Sequence, residues 1–354
     1  MSTEPSIDQQ QPEHRRRVRY QGTHPKNYHE KYKELQPERY KDEVTKVIQS
    51  GHTPAGMHIP ICVKEILDFL QVSPGQTGLD ATLGYGGHTE ALLKCLDGKG
   101  RLYALDVDPL QLPRTKDRLA CLGYGPEILD IRQMNFADID RLAAETGPFN
   151  FVLADLGVSS MQIDNPERGF SFKTEGPLDL RLNPEAGISA GERLKELTQE
   201  ELEGLLTENA DEPHAALIAR AIAANIKKGN DIVTTTQLRY IIEGALKSVP
   251  RISEDDRYSS CQRCFQALRI DVNSEFEVLE AFLEKLPSVL QTGGRVAILS
   301  FHSGEDRLVK KSFKSLLRDG VYSEIAPEPL RPTPEECRAN SRAHSAKLRW
   351  AIKA

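Results

Sequence analysis

No run of the 354 residues approaches the roughly 20 consecutive apolar positions of a membrane helix. The N-terminus MSTEPSIDQQQPEHRRR also lacks the apolar centre of a secretory leader. The expectation is a soluble, cytoplasmic protein with no membrane partner. Positive charge is not in excess: 46 Lys and Arg stand against 52 Asp and Glu, a formal charge of −6. That balance excludes holding nucleic acid by bulk attraction, so any polyanion must be met locally. Cysteine is sparse. The six, at 62, 95, 121, 261, 264 and 337, form no dense framework and read as reduced thiols. Cys261-Gln-Arg-Cys264 has metal-ligand spacing but no second pair and no H-x-E partner, so it reads as two packed thiols, and no metal is expected. Internal repeats are absent, and nothing in the composition decides between a monomer and a homodimer.

What is present is a 39% apolar fraction, enough for a sizeable core in one or two domains. Residues 1–56 form an N-terminal extension. Its first dozen residues are polar and Gln-rich, the composition of a disordered segment. From Arg15 to Lys46 it becomes basic and aromatic, either a solvated arm or one touching RNA or a partner. From Met57 onward helical runs alternate with short apolar segments: TGLDATL, RLYALDVDP, FNFVLADLG and GGRVAILSFH. That alternation predicts a doubly wound α/β fold with a parallel sheet covered on both faces. The rhythm stops between the third and fourth segments. Residues 160–260 contain helical runs but no convincing strand, with 12 basic against 18 acidic residues, and read as an inserted helical subdomain suited to recognising substrate. Residues 57–159 and 261–354 then make up the sheet domain.

Chemistry concentrates where strands end. Asp80-Ala-Thr-Leu-Gly84-Tyr-Gly86-Gly87-His88-Thr89 joins the first strand to a helix, and its glycines let backbone N–H groups approach a ligand. The pattern G-x-G-x-x-G is incomplete, because Thr89 stands at the third glycine. Asp106 ends the second strand twenty positions after Gly86, where a carboxylate accepts ribose hydroxyls. Nicotinamide dinucleotides and S-adenosylmethionine both use such a site. The missing glycine and the acidic Asp80, placed to meet an amino group, favour S-adenosylmethionine. Asp155 ends the third strand, followed by polar Ser159, Ser160 and Gln162, on the neighbouring lip of the same crevice.

The segments DATLGYGGHTEALL, ALDVDP, LADLGVSSMQIDNPERGFSF, GPLDLRLNP, FQALRIDVNSEFEVLE and GGRVAILSFHSGEDRLVK, in that order, resemble the signature blocks of the bacterial 16S ribosomal RNA cytosine-N4 methyltransferases. The resemblance covers roughly residues 57 to 312, with a further match at RPTPEE and NSRAHSAKLR. It implies a class I S-adenosylmethionine-dependent methyltransferase, a Rossmann-like fold with a helical insertion, acting on 16S ribosomal RNA or the small subunit. Carried over by motif, the cofactor residues are Gly86, Gly87, His88, Asp106, Phe136 (against the adenine), Asp155 and Gln162. The acceptor that orients the cytosine amine is Asp155, with Ser159 or a backbone carbonyl of its loop as the competing choices. Methylation at ring carbon would call for a cysteine after a proline, and none of the six has one. Ser160, Arg168, Arg181 and His302 are candidate substrate contacts. The arginines, and Arg269 with them, pair either with carboxylates such as Asp164 and Asp179 or with RNA phosphates. His302 either bonds its own loop or meets substrate.

Three features depart from the family: the long extension, Tyr85 where a basic residue is common, and a short stretch between Leu317 and Arg331. They leave open methylation of another RNA or of DNA, or a weakly catalytic role in ribosome assembly. The segment from Arg331, with six basic and two acidic residues, joins the N-terminal arm as the expected positive surface.

Overall fold

The computed structural model describes residues 60–354, so the readings of the N-terminal extension lie outside the described residues. The described chain begins with α1 (Val63–Leu70) and continues as β1 (Thr77–Asp80), α2 (Gly87–Leu96), β2 (Arg101–Asp106), α3 (Leu112–Cys121), β3 (Leu129–Gln133), α4 (Ile139–Thr146) and β4 (Phe149–Asp155). After a helical stretch come α11 (Glu275–Val289), β5 (Leu290–Ser300), α12 (Ser303–Arg318), β6 (Tyr322–Ile325), α13 (Pro334–Ala339) and β7 (Lys347–Lys353). The strands form one sheet in the order β3-β2-β1-β4-β5-β7-β6. The first five are parallel, and β7 runs antiparallel between β5 and β6. The doubly wound sheet expected from the sequence is therefore present.

Burial on both faces explains why the central strands read as continuous apolar runs. Along β4 and β5, Phe149, Val152, Ala154, Val296 and Ile298 join the core beneath α4, α11 and α12. The alternate residues Phe151, Leu153, Ala297 and Leu299 join the opposite core beneath α1 and α2. Three strands were not among the four expected. β3 alternates apolar with polar residues at a sheet edge, and β6 has only four residues. β7 lies in the segment read as a basic tail; Trp350 stacks on Phe69 of α1 at 4.5 Å.

Between β4 and α11 run α5 (Ser160–Asp164), α6 (Ala190–Glu196), α7 (Gln199–Ala210), α8 (Ala215–Lys227), α9 (Thr235–Leu246) and α10 (Glu254–Val272). Their side chains enclose a separate core from Phe172 to Leu268, which includes Cys261 and Cys264. Burial pushes the Cys261 thiol up to about 12 and raises that of Cys264, so both are packed, inert thiols. Helix starts are written in the sequence: Ser189-x-x-Glu192, Thr198-x-x-Glu201, Thr234-x-x-Gln237 and Ser253-x-x-Asp256 each close a reciprocal capping box.

Candidate active site at the carboxyl rim of the sheet

Three strands end on aspartates at one rim: Asp80 on β1, Asp106 on β2 and Asp155 on β4. Since β1 lies between β2 and β4, the three flank the point where connections leave in opposite directions, the usual ligand crevice of an open α/β sheet. The chain leaving β1 turns through Gly84 (φ +50) and Gly86 (φ +79). Gly86 occupies the N-cap of α2 and offers no side chain to the first-turn N–H groups of Gly87, His88 and Thr89.

The loop is held from beneath. Gly84 N donates to Asp106 Oδ2 (2.8 Å), Thr115 Oγ1 to Gly84 O (2.6 Å) and Arg118 Nε to Tyr85 O (3.1 Å). Tyr85, the residue that departs from the family, has the Arg118 guanidinium 4.7 Å from its ring centre. Thr89, at the position of the missing glycine, donates its hydroxyl to Asp80 Oδ2 at 2.6 Å, and Thr82 N donates to Asp80 Oδ1 at 3.1 Å. Asp80 is only 1% exposed, and burial raises its carboxyl pKa against those bonds. It anchors the loop and is not open to a ligand's amino group, which corrects the expectation.

Asp106 remains partly exposed. Its Oδ1 accepts from Asp108 N (2.9 Å) and its Oδ2 from Gly84 N, which leaves a lone pair on each oxygen for a diol. Burial pushes its pKa up to about 6, against the pull of these backbone donors. At Asp155 a histidine fixes the carboxylate. His88 Nε2 faces Ile61 O at 2.9 Å, an atom that only accepts, so Nε2 carries the hydrogen; Nδ1 then meets Asp155 Oδ2 at 3.3 Å. Burial works to lower the His88 pKa, yet the bond to Asp155 and its charge leave it raised, which favours an imidazolium–carboxylate pair. The main chain of Asp155 is held by Thr82 Oγ1 at 2.6 Å. Asp155 Oδ1 is buried without a hydrogen-bond partner among the described residues, and such an acceptor at a crevice calls for a donor from outside the protein.

Asp108, two residues beyond Asp106, is fully buried. Its Oδ1 accepts from Leu110 N (2.9 Å) and Gln111 N (3.3 Å), and its Oδ2 from Gln162 Nε2 (2.8 Å) and Arg168 Nη1 (2.7 Å). Arg168 Nη2 also donates to Arg181 O and Leu182 O, so one buried carboxylate ties β2 to the root of the inserted helices. Sequence reasoning gave Asp108 no role; its signal was the second acid of ALDVDP.

This network settles several candidates. Ser159 caps α5: its hydroxyl accepts from Gln162 N (3.2 Å) and donates to Gln111 Oε1 (3.3 Å), so it has a structural task in its own loop. The Gln162 side chain is pinned at both ends, to Ser159 N and to Asp108, and so shapes the loop. Ser160 is half-buried in the first turn of α5. Arg168 is buried in its pair with Asp108, and Arg181 chelates Asp179 through Nε and Nη2 (2.8 and 2.7 Å). Arg269 does the same with Glu275. The phosphate option for these three arginines is therefore replaced by the carboxylate option. His302 caps α12 in a box with Glu305, whose carboxyl pKa stays below the usual range because bonds from His302 and Phe301 N outweigh its burial. Phe136 starts a single 3-10 turn and is half-buried, its ring edge-on to Phe282 at 5.1 Å.

A profile of the MraW methylase family matches residues 55–354. The ribosomal RNA small subunit methyltransferase H 2 of Alkaliphilus metalliredigens is 68% identical over 349 residues, 98% of this chain and 100% of the relative. Methyltransferase H 1 of Lachnoclostridium phytofermentans is 64% identical over 348 residues, 98% of this chain and 95% of the relative. Both alignments take in most of the N-terminal extension. The ribosomal RNA small subunit methyltransferase H of Crocosphaera subtropica is 42% identical over 298 residues, 84% of this chain and 90% of the relative.

Proposed function

The chain belongs to the MraW methylase family, and from that premise we propose that it methylates the exocyclic N4 amine of a cytidine in the decoding region of 16S ribosomal RNA, in the cytoplasm. Its relatives at 60% identity and above carry the name of ribosomal RNA small subunit methyltransferases, and the enzyme class follows from them. The observation that carries the finer reading is the Asp155 carboxylate, with one oxygen held by His88 and the other buried and unpartnered at the rim.

The residues of the rim fit S-adenosylmethionine. The uncapped N–H groups after Gly86 suit its carboxylate, Asp106 has lone pairs for the ribose hydroxyls, and the half-buried Phe136 offers an apolar ring for the adenine. When bound, this cofactor supplies a methyl group already activated by a sulfonium. The acceptor amine is the weak partner, because its lone pair is delocalised into the cytosine ring. Asp155 Oδ1 accepts one amine N–H and so directs the nitrogen, which is catalysis by alignment. His88 holds the carboxylate at a fixed angle, and the Ser159–Gln162 loop sets the floor beside it. The amine hydrogen held by Asp155 would be the proton lost as the methyl passes from sulfur to nitrogen, and Asp155 Oδ1 is the acceptor placed to take it and release it to solvent.

Small subunits from cells lacking the gene, incubated with the protein and S-adenosylmethionine, should gain N4-methylcytidine on nucleoside mass spectrometry. Binding to the subunits with no methyl on any cytidine would favour the assembly-factor reading instead.

A further inference from the structure

The C-terminal segment is not the positive surface its composition suggested. Arg338 pairs with Glu335, Arg342 with Asp164, and Lys347 and Arg349 with Asp306. A cationic face lies on α12 instead. Arg307, Lys311, Lys314 and Arg318 are exposed and spaced i, i+4, i+7, i+11, within an arc of about 60° along roughly 16 Å of helix. Lys310 flanks them, half-buried.

The two acids of α12 face the other way. Glu305 and Asp306 are buried, the first in the cap with His302, the second between Lys347 and Arg349. Several cations on other helices are matched in place: Lys64 with Asp68, Lys94 with Glu90, Arg239 with Glu243, each one turn apart. On α12 the carboxylates that meet Arg307 and Arg318 are the exposed Asp211 at 3.5 Å and the adjoining Asp319 at 3.1 Å. Among the described residues no carboxylate oxygen lies within 4 Å of Lys310, Lys311 or Lys314. Four like charges on one face repel one another, and in a chain of net −6 the lysines at the middle of this face stand without a carboxylate partner.

The position gives the face a use. Helix α12 starts directly after β5, whose Leu299 pairs with Asp155, so the stripe begins beside the rim and runs away from it. The adjoining α11 exposes Glu277, Glu280 and Glu284, which repel a polyanion and restrict it to the outer face of α12. We propose that this face of α12 is a track for the phosphate backbone of the RNA leading into the active site. The proposal deepens the reading of the protein as an RNA methyltransferase and rests on it.

The triple variant Lys311→Ala, Lys314→Ala, Arg318→Ala tests it, beside the wild type, against a single-stranded RNA oligonucleotide and methyl-deficient small subunits. The variant should bind the RNA at least about tenfold more weakly at low salt. The slope of log K against log salt should flatten by about two, three lost phosphates at roughly 0.7 each. Affinity for S-adenosylmethionine and the Tm should match the wild type. An unchanged slope with intact cofactor binding overturns the track. Retained RNA affinity with lost subunit binding also overturns it, in favour of a protein contact. Failure of the wild type itself to bind RNA or methylate subunits would instead defeat the underlying reading.

Discussion

The Asp108–Arg168 pair permits a quantitative test, because both groups are out of solvent: the side chains are 0% and 7% exposed at a separation of 2.7 Å. Asp108→Asn keeps the shape but removes the charge, and turns one of two fully used acceptor oxygens into a donor facing other donors. Arg168 is then a buried cation without its counter-charge, which costs about 3–5 kcal/mol. Against a total stability of about 5–15 kcal/mol the loss is large. With m near 3 kcal/mol/M, the urea midpoint falls by about 1–1.7 M. Adding Arg168→Met removes the stranded cation, so the double variant should cost less than the sum of the singles by at least about 2 kcal/mol. Urea unfolding of the four proteins, followed by circular dichroism, measures the cycle. A loss below about 1 kcal/mol for Asp108→Asn, or additivity within about 0.5 kcal/mol, would refute the claim that this pair joins β2 to the inserted helices.

Asp106 should make S-adenosylmethionine binding sensitive to acid: with a pKa of about 6 and only the carboxylate accepting ribose hydroxyls, affinity falls about tenfold by pH 5, and Asp106→Asn flattens that profile in calorimetry. Its effect on stability has the opposite sign. The folded pKa is raised, so this contribution is full below the ordinary 3.8 and is lost as pH rises through about 6. Asp155→Asn should lower kcat about a hundredfold or more while cofactor affinity changes little, as for other lost orienting groups, and an unaltered rate in single-turnover assays moves the acceptor elsewhere. Leu206→Ala, in the core of the inserted helices, should cost about 2–5 kcal/mol in urea unfolding; a cost under 1 would mean that this core is loosely packed.

Much of the fold was legible because its signals are local. Buried parallel strands read as apolar runs, and capping boxes announce helix starts within four residues. β3, β6 and β7 were not legible: an edge strand with alternating charges carries little apolar signal, and LRWAIK resembles a basic tail until β5 is there to pair with it. At the site, the glycine loop and Asp106 could be found because their spacing is itself the signal.

Partnership is what the sequence could not state. Arg168 and Arg181 were as suited to phosphate as to carboxylate, and only the approach of Asp108, sixty residues away, and the fold of Asp179 onto its neighbour decided the matter. Ser159 turned out to be engaged in its own loop by hydrogen bonds with Gln111 and Gln162. The role proposed for Asp155 rests on His88 taking one oxygen while nothing described takes the other. The count of charges was available from the start, but which of them neutralise one another was not. Composition made the C-terminal segment positive, whereas tertiary pairing neutralised most of it and left Lys310, Lys311 and Lys314 of α12 without a carboxylate partner. Sequence alone determined the order of elements and the chemistry on offer, because those depend on neighbours along the chain. The tertiary structure decided which groups remain free to act, because a buried polar group takes whatever partner the fold brings within hydrogen-bonding distance.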